Sequence, residues 1–506
     1  MLAKTKSYAL YGLSGFPVDV EVDASAGLPA FEIVGLPDAS VKESKERVRS
    51  AIKNSGYKFP NGKITVNLAP ADVKKQGAYL DLAIAIGILK ASQSGLSNNV
   101  NEFVFVGELS LDGSIRSVSG LLPILISAKN NGNKKFIIPE SNKKEASFIE
   151  GIDVYALSSL KEAFEFLSGL KEVSPIINTE YSEYSSKKDY ASDLSYVKGQ
   201  AFAKRALEVA VAGGHNILFV GPPGAGKTML AKCIPTIMPD MSFDEALETT
   251  KIHSVAGKIN NENGIVVNRP YMSPHHTASA VAIIGGGQNA TPGVISLAHN
   301  GVLYLDEMPE YPRSVLECLR QPLEDRVITI TRAKASVEYP ASFILCGSMN
   351  PCPCGNYGVK DKLCTCSASA IRKYRSKLSG PLLDRIDIQV NVDSVEYQDL
   401  VSENLEESSV SVKKRVDFAR KIERERFKNE KINTNAEMGE KQLKAYCKLS
   451  KECEEVIKRS FEALDLSARA RSRIIKVART IADLDLSENI EVKHILEAVG
   501  YRSKFH

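Results

Sequence analysis

Nothing in this 506-residue sequence reads as a membrane span. The longest apolar helix candidate, Leu80 to Leu89, covers about half of a bilayer, and no charged-then-apolar leader runs from Met1 to Val20. These absences predict a cytoplasmic protein with no membrane partner. A strong excess of one charge sign is missing as well, since 65 Lys and Arg stand against 61 Asp and Glu. A net charge of +4 is too small to prove a nucleic-acid partner, so any such partner has to be argued from local patches. Nine cysteines in a reducing compartment argue against a disulfide framework, and internal repeats are absent. The length itself predicts about three domains, enough for several independent cores.

What is present is concentrated in Asn216-Ile-Leu-Phe-Val-Gly-Pro-Pro-Gly-Ala-Gly-Lys-Thr228. It reads as a buried strand, a glycine-rich loop and the start of a helix, the arrangement in which backbone N–H groups wrap a polyphosphate. Gly221, Gly224 and Gly226 let the backbone approach the phosphates and take positive φ where needed. Pro222, Pro223 and Ala225 complete the loop, and the new helix points its N-terminus at the anion. Lys227 supplies a point charge for the β- and γ-phosphates, and the Thr228 hydroxyl is a Mg²⁺ ligand. A nucleoside triphosphate is the expected ligand. A second apolar strand, Gly301-Val-Leu-Tyr-Leu-Asp306-Glu307, ends in two carboxylates where a parallel sheet would present them beside that loop. Asp306 is placed to hold Mg²⁺ through water, and Glu307 to orient and polarise the attacking water. On its own, such a run is also how many strands finish in a solvated acidic turn.

Along the chain, residues 1–170 alternate short strands (Ile64 to Leu68, Phe103 to Val106, Lys135 to Ile138) with helical patterns (Ser40 to Ser55, Leu80 to Ala91), which predicts an α/β domain. Residues 171–192 lack periodicity and read as a linker. The nucleotide-binding core is expected over 193–395, and 396–506 as a charged connection followed by a compact helical region.

The sequence resembles the YifB/ComM-type AAA+ ATPases, also described as magnesium-chelatase-like, over nearly its whole length. The resemblance is carried by Val197-Lys-Gly-Gln200, Ala212-Gly-Gly-His-Asn216, the phosphate loop, Pro274-His-His-Thr277, Gly301 to Met308, Met349-Asn-Pro-Cys-Pro-Cys-Gly355, Ser379-Gly-Pro-Leu-Leu-Asp-Arg-Ile-Asp387 and Ser467-Ala-Arg-Ala-Arg471. It implies an α/β AAA+ core with a parallel sheet and a helical lid, working as an ATP-driven ring, a hexamer, with ATP and Mg²⁺ at subunit interfaces. For ComM-type members it implies DNA helicase and branch-migration activity during recombination of incoming DNA. Asn350 matches the sensor-1 position, where a neutral amide can hold the lytic water against the γ-phosphate. Arg385 resembles the arginine finger that enters the neighbouring subunit's site, and Arg469 the sensor-2 arginine of the lid. The bland alternative for either is a surface ion pair, with Asp384 or Glu462, and Arg471 and Arg473 compete with Arg469 for its role.

Gly107-Glu-Leu-Ser-Leu-Asp-Gly-Ser114, followed by Phe136-Ile-Ile-Pro139, is similar to the proteolytic domain of Lon-type proteases. The nucleophile's place in that family falls on Tyr79 and the base position on Leu122. An alcohol nucleophile without its lysine cannot be activated by this route, which predicts a degenerate domain kept for assembly or partner binding. Cys352, Cys354, Cys364 and Cys366 form two Cys-x-Cys pairs. They can converge on one tetrahedral Zn²⁺, although Cys-x₂-Cys is the commoner spacing, or they are free thiols on an exposed loop. Cys233, Cys318, Cys346, Cys447 and Cys453 read as packing residues. His275 and His276 are expected to diverge and to serve a loop or an interface.

Arg326 to Tyr339 alternates like a hairpin with Arg332 and Lys334 near its tip. In related ring ATPases this hairpin points into the pore, where such residues track a DNA phosphate backbone. Further basic runs are Arg372 to Lys377 and Lys413 to Lys431. The second is interleaved with Glu423, Glu425 and Glu430 and reads as a solvated helix face. Two other readings stay open: an ATP-driven assembly factor acting on a metal-insertion partner, and a protein remodeller using the Lon-like domain. The N-terminal domain is expected to set the chain apart from true chelatase motor subunits, and the polar Arg332 and Lys334 disfavour a remodeller.

Overall fold

Exposed and buried residues alternate from Leu2 to Ser7 in the strand Leu2–Tyr11, with Ala3, Thr5 and Ser7 turned inward. This is the period of a strand with one covered face. The covering element is the helix Asp81–Ser92, buried on nearly every residue, which packs on Leu2–Tyr11 and Ser14–Ser25. The polar inward positions are satisfied, Thr5 donating to the Ala83 carbonyl of that helix at 2.9 Å and Ser7 to the Phe105 carbonyl of the neighbouring strand at 2.7 Å. The computed structural model describes residues 2–502 apart from 93–94, 97, 186–189, 261, 288–289, 333–334, 360–361, 395–405 and 465–467.

Seven strands form the first sheet, in the order Ala30–Val34, Lys63–Ala69, Ser14–Ser25, Leu2–Tyr11, Phe103–Phe105, Lys135–Pro139 and Asp153–Leu157. Its centre is antiparallel and its last four strands run parallel to one another, so the sheet is mixed. The second sheet is parallel throughout, in the order Tyr271–Met272, Gly301–Leu305, Phe343–Met349, Ile217–Val220 and Ile388–Asn391. The three strands Gly301–Leu305, Phe343–Met349 and Ile217–Val220 are buried at every position, as expected of a parallel sheet covered on both faces. Because Val220 pairs with Met349 and Leu305 with Gly347, the residues that follow these strands emerge side by side at one edge. That edge is where ligands bind in open α/β sheets.

The opposite end of Ile217–Val220 is tied down by Asn216. Its amide donates to the Arg385 carbonyl at 2.9 Å and accepts from the Leu345 N–H at 2.9 Å. Its backbone N–H meets the Asp387 carboxylate at 3.2 Å, and its carbonyl takes the N–H groups of Asp387 and Ile388. Asp387 is buried, which pushes its carboxyl up, but Arg473 at 2.6 Å and His215 beside it hold it well below the usual carboxylate range.

The helix Ser409–Arg426 has the expected solvated face, with Lys414, Arg415, Lys421, Arg424 and Glu425 exposed, but Glu423, read as part of it, lies on a buried face. Val412, Val416, Ala419 and Glu423 are buried, and the helix packs on Ala201–Gly213, Lys227–Ile237 and Ala468–Leu484. Its cations are drawn to tertiary partners: Lys413 to Asp240, Arg415 to Glu208 and Arg426 to Asp483. Burial pushes the Glu423 carboxyl up to about 8, against the pull of Arg420. Alternating charge in sequence did not show that the carboxylate partners lay on other helices.

The N-terminal part is docked on the second sheet's helices. Gly120 N–H donates to the Ser254 carbonyl at 2.9 Å, and the Ser254 hydroxyl to Glu145, so that the helix Leu121–Asn130 lies on Phe243–Val255. The turn after Leu2–Tyr11 reaches the hairpin Val327–Arg332 / Ala335–Pro340. There Tyr11 hydroxyl donates to the Ser336 carbonyl at 3.2 Å, and Gly12, at φ +59°, sits so close that an added Cβ would be 2.6 Å from Val337. The stretch read as a linker is pinned on both sides, Ile176 N–H to the Val154 carbonyl and Tyr181 hydroxyl to the Met241 carbonyl at 3.1 Å.

Candidate functional site

The phosphate loop closes as its residue types dictate. Gly221 passes so near its neighbour that a Cβ would lie 2.1 Å from the Val392 carbonyl oxygen, and Gly224 and Gly226 take φ of +81° and +87°. A Cβ on either of the last two would meet nothing within 4 Å, so their faces are open to the cleft. Gly226 caps the helix Lys227–Ile237, whose first N–H groups have no partner within the helix. The cleft holds about 400 Å³ and is lined by Pro223 to Met229, Asp306, Glu307, Ser348, Met349 and Asn350. Open glycine faces, a helix N-terminus and an ammonium group together suit a polyphosphate.

Lys227 is buried, and its ammonium donates to the carbonyls of Gly221 at 2.6 Å and Pro222 at 2.9 Å and to the Asn350 amide oxygen at 3.2 Å. Burial lowers its pKa, with Asp306 and Glu307 pulling the other way. Thr228 hydroxyl stands 3.3 Å from Asp306 Oδ2 and 3.2 Å from the Tyr304 hydroxyl. The other oxygen of Asp306 accepts from Ser348 and from the Glu307 N–H at 3.1 Å. Glu307 is a non-glycine residue at φ +49°, a conformation costing on the order of 1–3 kcal/mol that persists only where the surroundings enforce it. Its N–H also reaches the Ser348 hydroxyl at 3.2 Å, and its half-exposed side chain stands 3.8 Å from His276 Nδ1. Ser348 and Tyr304 escaped the sequence reading. The visible signal was a hydroxyl in each of two otherwise apolar strands.

His275 and His276 do not diverge. Their rings lie 4.2 Å apart at 31°, because a turn closed by the Ala278 N–H on the His275 carbonyl brings adjacent side chains to one side. Arg385 does not line the nucleotide cleft of its own chain. It is buried, its guanidinium held by Glu324 and by the Pro381 carbonyl at 2.8 Å, while its Nε has no partner. The bland alternative thus has the right form and the wrong residue, Glu324 in place of Asp384. Glu324 is held below the ordinary carboxylate range, first by its bond from Arg385 and then by the charges of Arg385, Arg469 and Arg320. Arg469 is exposed near this cluster rather than paired with Glu462. Its two competitors are engaged elsewhere, Arg471 with Glu454 at 2.7 Å and Arg473 with Asp387 at 2.6 Å. Ser467 lies outside the described residues, as do Lys334 and the side chain of Arg332.

Cys352, Cys354, Cys364 and Cys366 converge, their sulfurs all within 4.8 Å of one another, a group that can hold a metal ion. Cys352 is buried, and its sulfur accepts the Tyr357 N–H at 3.3 Å. Backbone N–H groups of Asn356 and Thr365 bring the Cys354 thiol down to about 5. Of the cysteines read as packing residues, Cys233, Cys346, Cys447 and Cys453 are buried, whereas Cys318 is exposed on the helix Arg313–Cys318, contrary to expectation. An apolar neighbourhood in sequence does not decide which face of so short a helix is covered.

Comparison with known proteins places this constellation. The chain is 41% identical over 508 residues to "Competence protein ComM" of Haemophilus influenzae, covering 99% of this chain and 97% of that one. It is 42% identical over 500 residues to "Uncharacterized protein YifB" of Escherichia coli, covering 98% and 96%. The chain belongs to the YifB/ComM-type, magnesium-chelatase-like family. Three family models agree: "Magnesium chelatase, subunit ChlI" over residues 193–400, "Subunit ChlI of Mg-chelatase" over 20–142 and "Magnesium chelatase, subunit ChlI C-terminal" over 406–502. The second match carries the chelatase description into the region expected to set the chain apart from chelatase subunits, so that region does not separate the two readings. A partial likeness to Lon protease 2 of Bacillus subtilis, 28% identical over 176 residues, covers 31% of each chain. In this YifB/ComM-type protein Tyr79, read above at the place of the Lon-type nucleophile, is a partly buried residue whose hydroxyl accepts the Leu10 N–H at 3.3 Å and is pushed up to about 12 by desolvation. Leu122 is buried at the start of its helix. Neither side chain can act as an activated nucleophile or its base.

Proposed function

We propose that the chain is an ATP-hydrolysing AAA+ ring motor, a cytoplasmic hexamer, that acts on DNA as a helicase or branch-migration enzyme. Residues 1–170 form its non-proteolytic Lon-like domain, 171–192 a linker, 193–395 the ATPase core and 396–506 the connection and helical lid. The observation that carries the hydrolytic half is the meeting of phosphate loop and acidic strand end, with Thr228 3.3 Å from Asp306 and Glu307 beside it in the same cleft. Thr228 and Asp306 would hold Mg²⁺, the latter through water, and the ion would supply positive charge to offset the charge that develops on the transferring phosphoryl group. The N–H groups from Gly224 to Thr228 and the Lys227 ammonium bind the phosphates. Glu307 orients and polarises the attacking water, accepting its proton, and Asn350 holds that water by its amide. Arg385 is offered to the neighbouring subunit's γ-phosphate, with Arg469 contributing from the lid.

The DNA half rests on Arg332 and Lys334, read in the sequence near the tip of a hairpin, and on the family's ComM-type members. Phosphate contacts of this kind are largely sequence-independent and salt-sensitive. Replacing both residues with alanine is expected to weaken DNA binding across sequences and to reduce the salt slope by up to about two units. DNA-stimulated ATPase should vanish while basal ATPase stays near normal; a folding defect would depress both. Turnover of the natural protein with single-stranded, duplex and branched DNA decides the substrate class. Absence of DNA binding with a slowly hydrolysed ATP analogue would transfer the reading to a protein partner, as in a chelatase-like assembly factor or a remodeller.

The four cysteines are read as a structural zinc site. Tetrahedral Zn²⁺ with Zn–S bonds of about 2.3 Å holds its sulfurs about 3.8 Å apart, and the Cys352–Cys364 and Cys354–Cys364 separations are both 3.7 Å. Purified protein should carry about one Zn²⁺ per chain, lost on combined Cys352→Ser and Cys354→Ser substitution. Metal analysis near zero on protein prepared without chelators would leave free thiols as the better account.

A further inference from the structure

The four-cysteine loop is joined to the nucleotide site at two separate points. It leaves the strand Phe343–Met349 through Asn350, and the first thiol, Cys352, follows two residues later. The amide oxygen of Asn350 accepts from Lys227 at 3.2 Å, so a displacement of this turn moves a contact of the phosphate-binding ammonium. At its other face the loop meets the phosphate loop directly. Gly355, at φ +81°, approaches Pro223 so closely that an added Cβ would lie 2.6 Å from Pro223 Cδ, and Pro223 lines the cleft.

Between Pro351 and Ser367 the described residues contain no helix or strand. Leu363 is almost fully exposed, and no apolar cluster fills the loop. Such a segment gains little from burial against the entropy of ordering it, so its shape has to come from cross-links. Besides two backbone turns, Gly355 N–H to the Cys352 carbonyl and Val359 N–H to the Asn356 carbonyl, two side-chain links are visible among the described residues. Arg375, on the helix Ala368–Arg375, donates from Nε to the Pro351 carbonyl at 3.2 Å, and its guanidinium lies 5.1 Å over the Tyr357 ring. The sulfur group joins Cys352 at the start of the loop to Cys364 and Cys366 at its end.

We propose that this metal-held loop is a brace for hydrolysis: zinc at Cys352, Cys354, Cys364 and Cys366 fixes Asn350 and backs Pro223, so that turnover depends on zinc while nucleotide binding does so much less. The proposal rests on the zinc reading above. The brace acts through Asn350 and the phosphate loop, so its cysteines and Gly355 are positioning residues. Nucleotide affinity is supplied mainly by Lys227, the helix N-terminus and the loop glycines, whereas hydrolysis needs the water held in one place. Misplacement by about 1 Å costs on the order of 10²-fold in rate.

Two variants separate the parts of this argument. Combined Cys364→Ser and Cys366→Ser substitution removes two ligands remote in sequence from Asn350, and Gly355→Ala leaves all four ligands but drives a methyl into Pro223. The full-length protein is assayed for zinc content, for ATP affinity and for turnover at saturating ATP. The cysteine variant is expected to lose zinc and about 10²-fold in turnover, with ATP affinity changed by only a few-fold. Gly355→Ala should keep zinc and still lose turnover, and Cys366→His in an otherwise natural protein should keep both zinc and most of the turnover, since His also ligates Zn²⁺. A zinc-free cysteine variant with full turnover would overturn the brace and leave the zinc site standing. Absence of zinc from the natural protein would overturn both. Should the cysteine variant fail to fold, Gly355→Ala decides alone: zinc retained with normal turnover overturns the brace.

Discussion

Glu307→Gln is expected to bind ATP about as tightly as the natural protein and to hydrolyse it at least about 10²-fold more slowly, the scale of a lost general base. The Glu307 backbone is held at φ +49° by hydrogen bonds to Asp306 and Ser348, which turns a half-exposed carboxylate into the cleft instead of leaving it in a relaxed acidic turn. The amide of glutamine keeps the shape and removes the basic oxygen. Lys227→Ala should behave in the opposite way and lose nucleotide binding, because its ammonium is among the groups that meet the phosphates. Affinity and turnover measured on both variants test this, and normal turnover in the glutamine variant would remove Glu307 from the mechanism.

Arg385→Ala is expected to lose about 10³-fold or more in turnover, the range of arginine fingers. Because Arg385 does not line its own cleft, hydrolysis by the natural protein should also rise with protein concentration as subunits assemble. Mixing Arg385→Ala subunits with Lys227→Ala subunits then creates interfaces in which an intact phosphate loop faces an intact arginine, and some activity should return. The rival account is structural. Arg385 is buried, but its partner Glu324 is largely exposed, so its removal takes away the packing of a long side chain and a solvent-screened ion pair. That account predicts a destabilised chain whose activity no mixture restores. No recovery despite demonstrated co-assembly would make Arg385 an intrasubunit ion pair.

The parts of the site that were legible in sequence are those whose chemistry is local. Gly221 to Thr228 declare themselves because strand, turn and helix start must all occur within a few residues, and the two Cys-x-Cys pairs because closely spaced thiols are hard to explain otherwise. Asp306 and Glu307 could be read because a parallel sheet delivers strand ends to one edge. What escaped depends on contacts between distant segments. Glu324 is 61 positions from the arginine it holds. Ser348 looks like a polar interruption of a strand until the sheet sets it beside Asp306. The partners of Lys413, Arg415 and Arg426 could not be read because Asp240, Glu208 and Asp483 lie on other elements. The docking of Tyr11 and Gly12 on the hairpin spans 325 positions and has no local signature at all.

In the ring proposed above, Asn216 would have a mechanical meaning. One end of the short strand Ile217–Val220 becomes the phosphate loop, and the other is clamped through Asn216 to the backbone of Arg385 and, by way of Asp387, to Arg473 on the C-terminal helices. Four buried residues separate the two ends, too few and too tightly paired on both sides to absorb a displacement. In such a ring, a shift of the loop around a nucleotide would be carried through this clamp to the backbone of Arg385, the residue proposed to serve the neighbouring site.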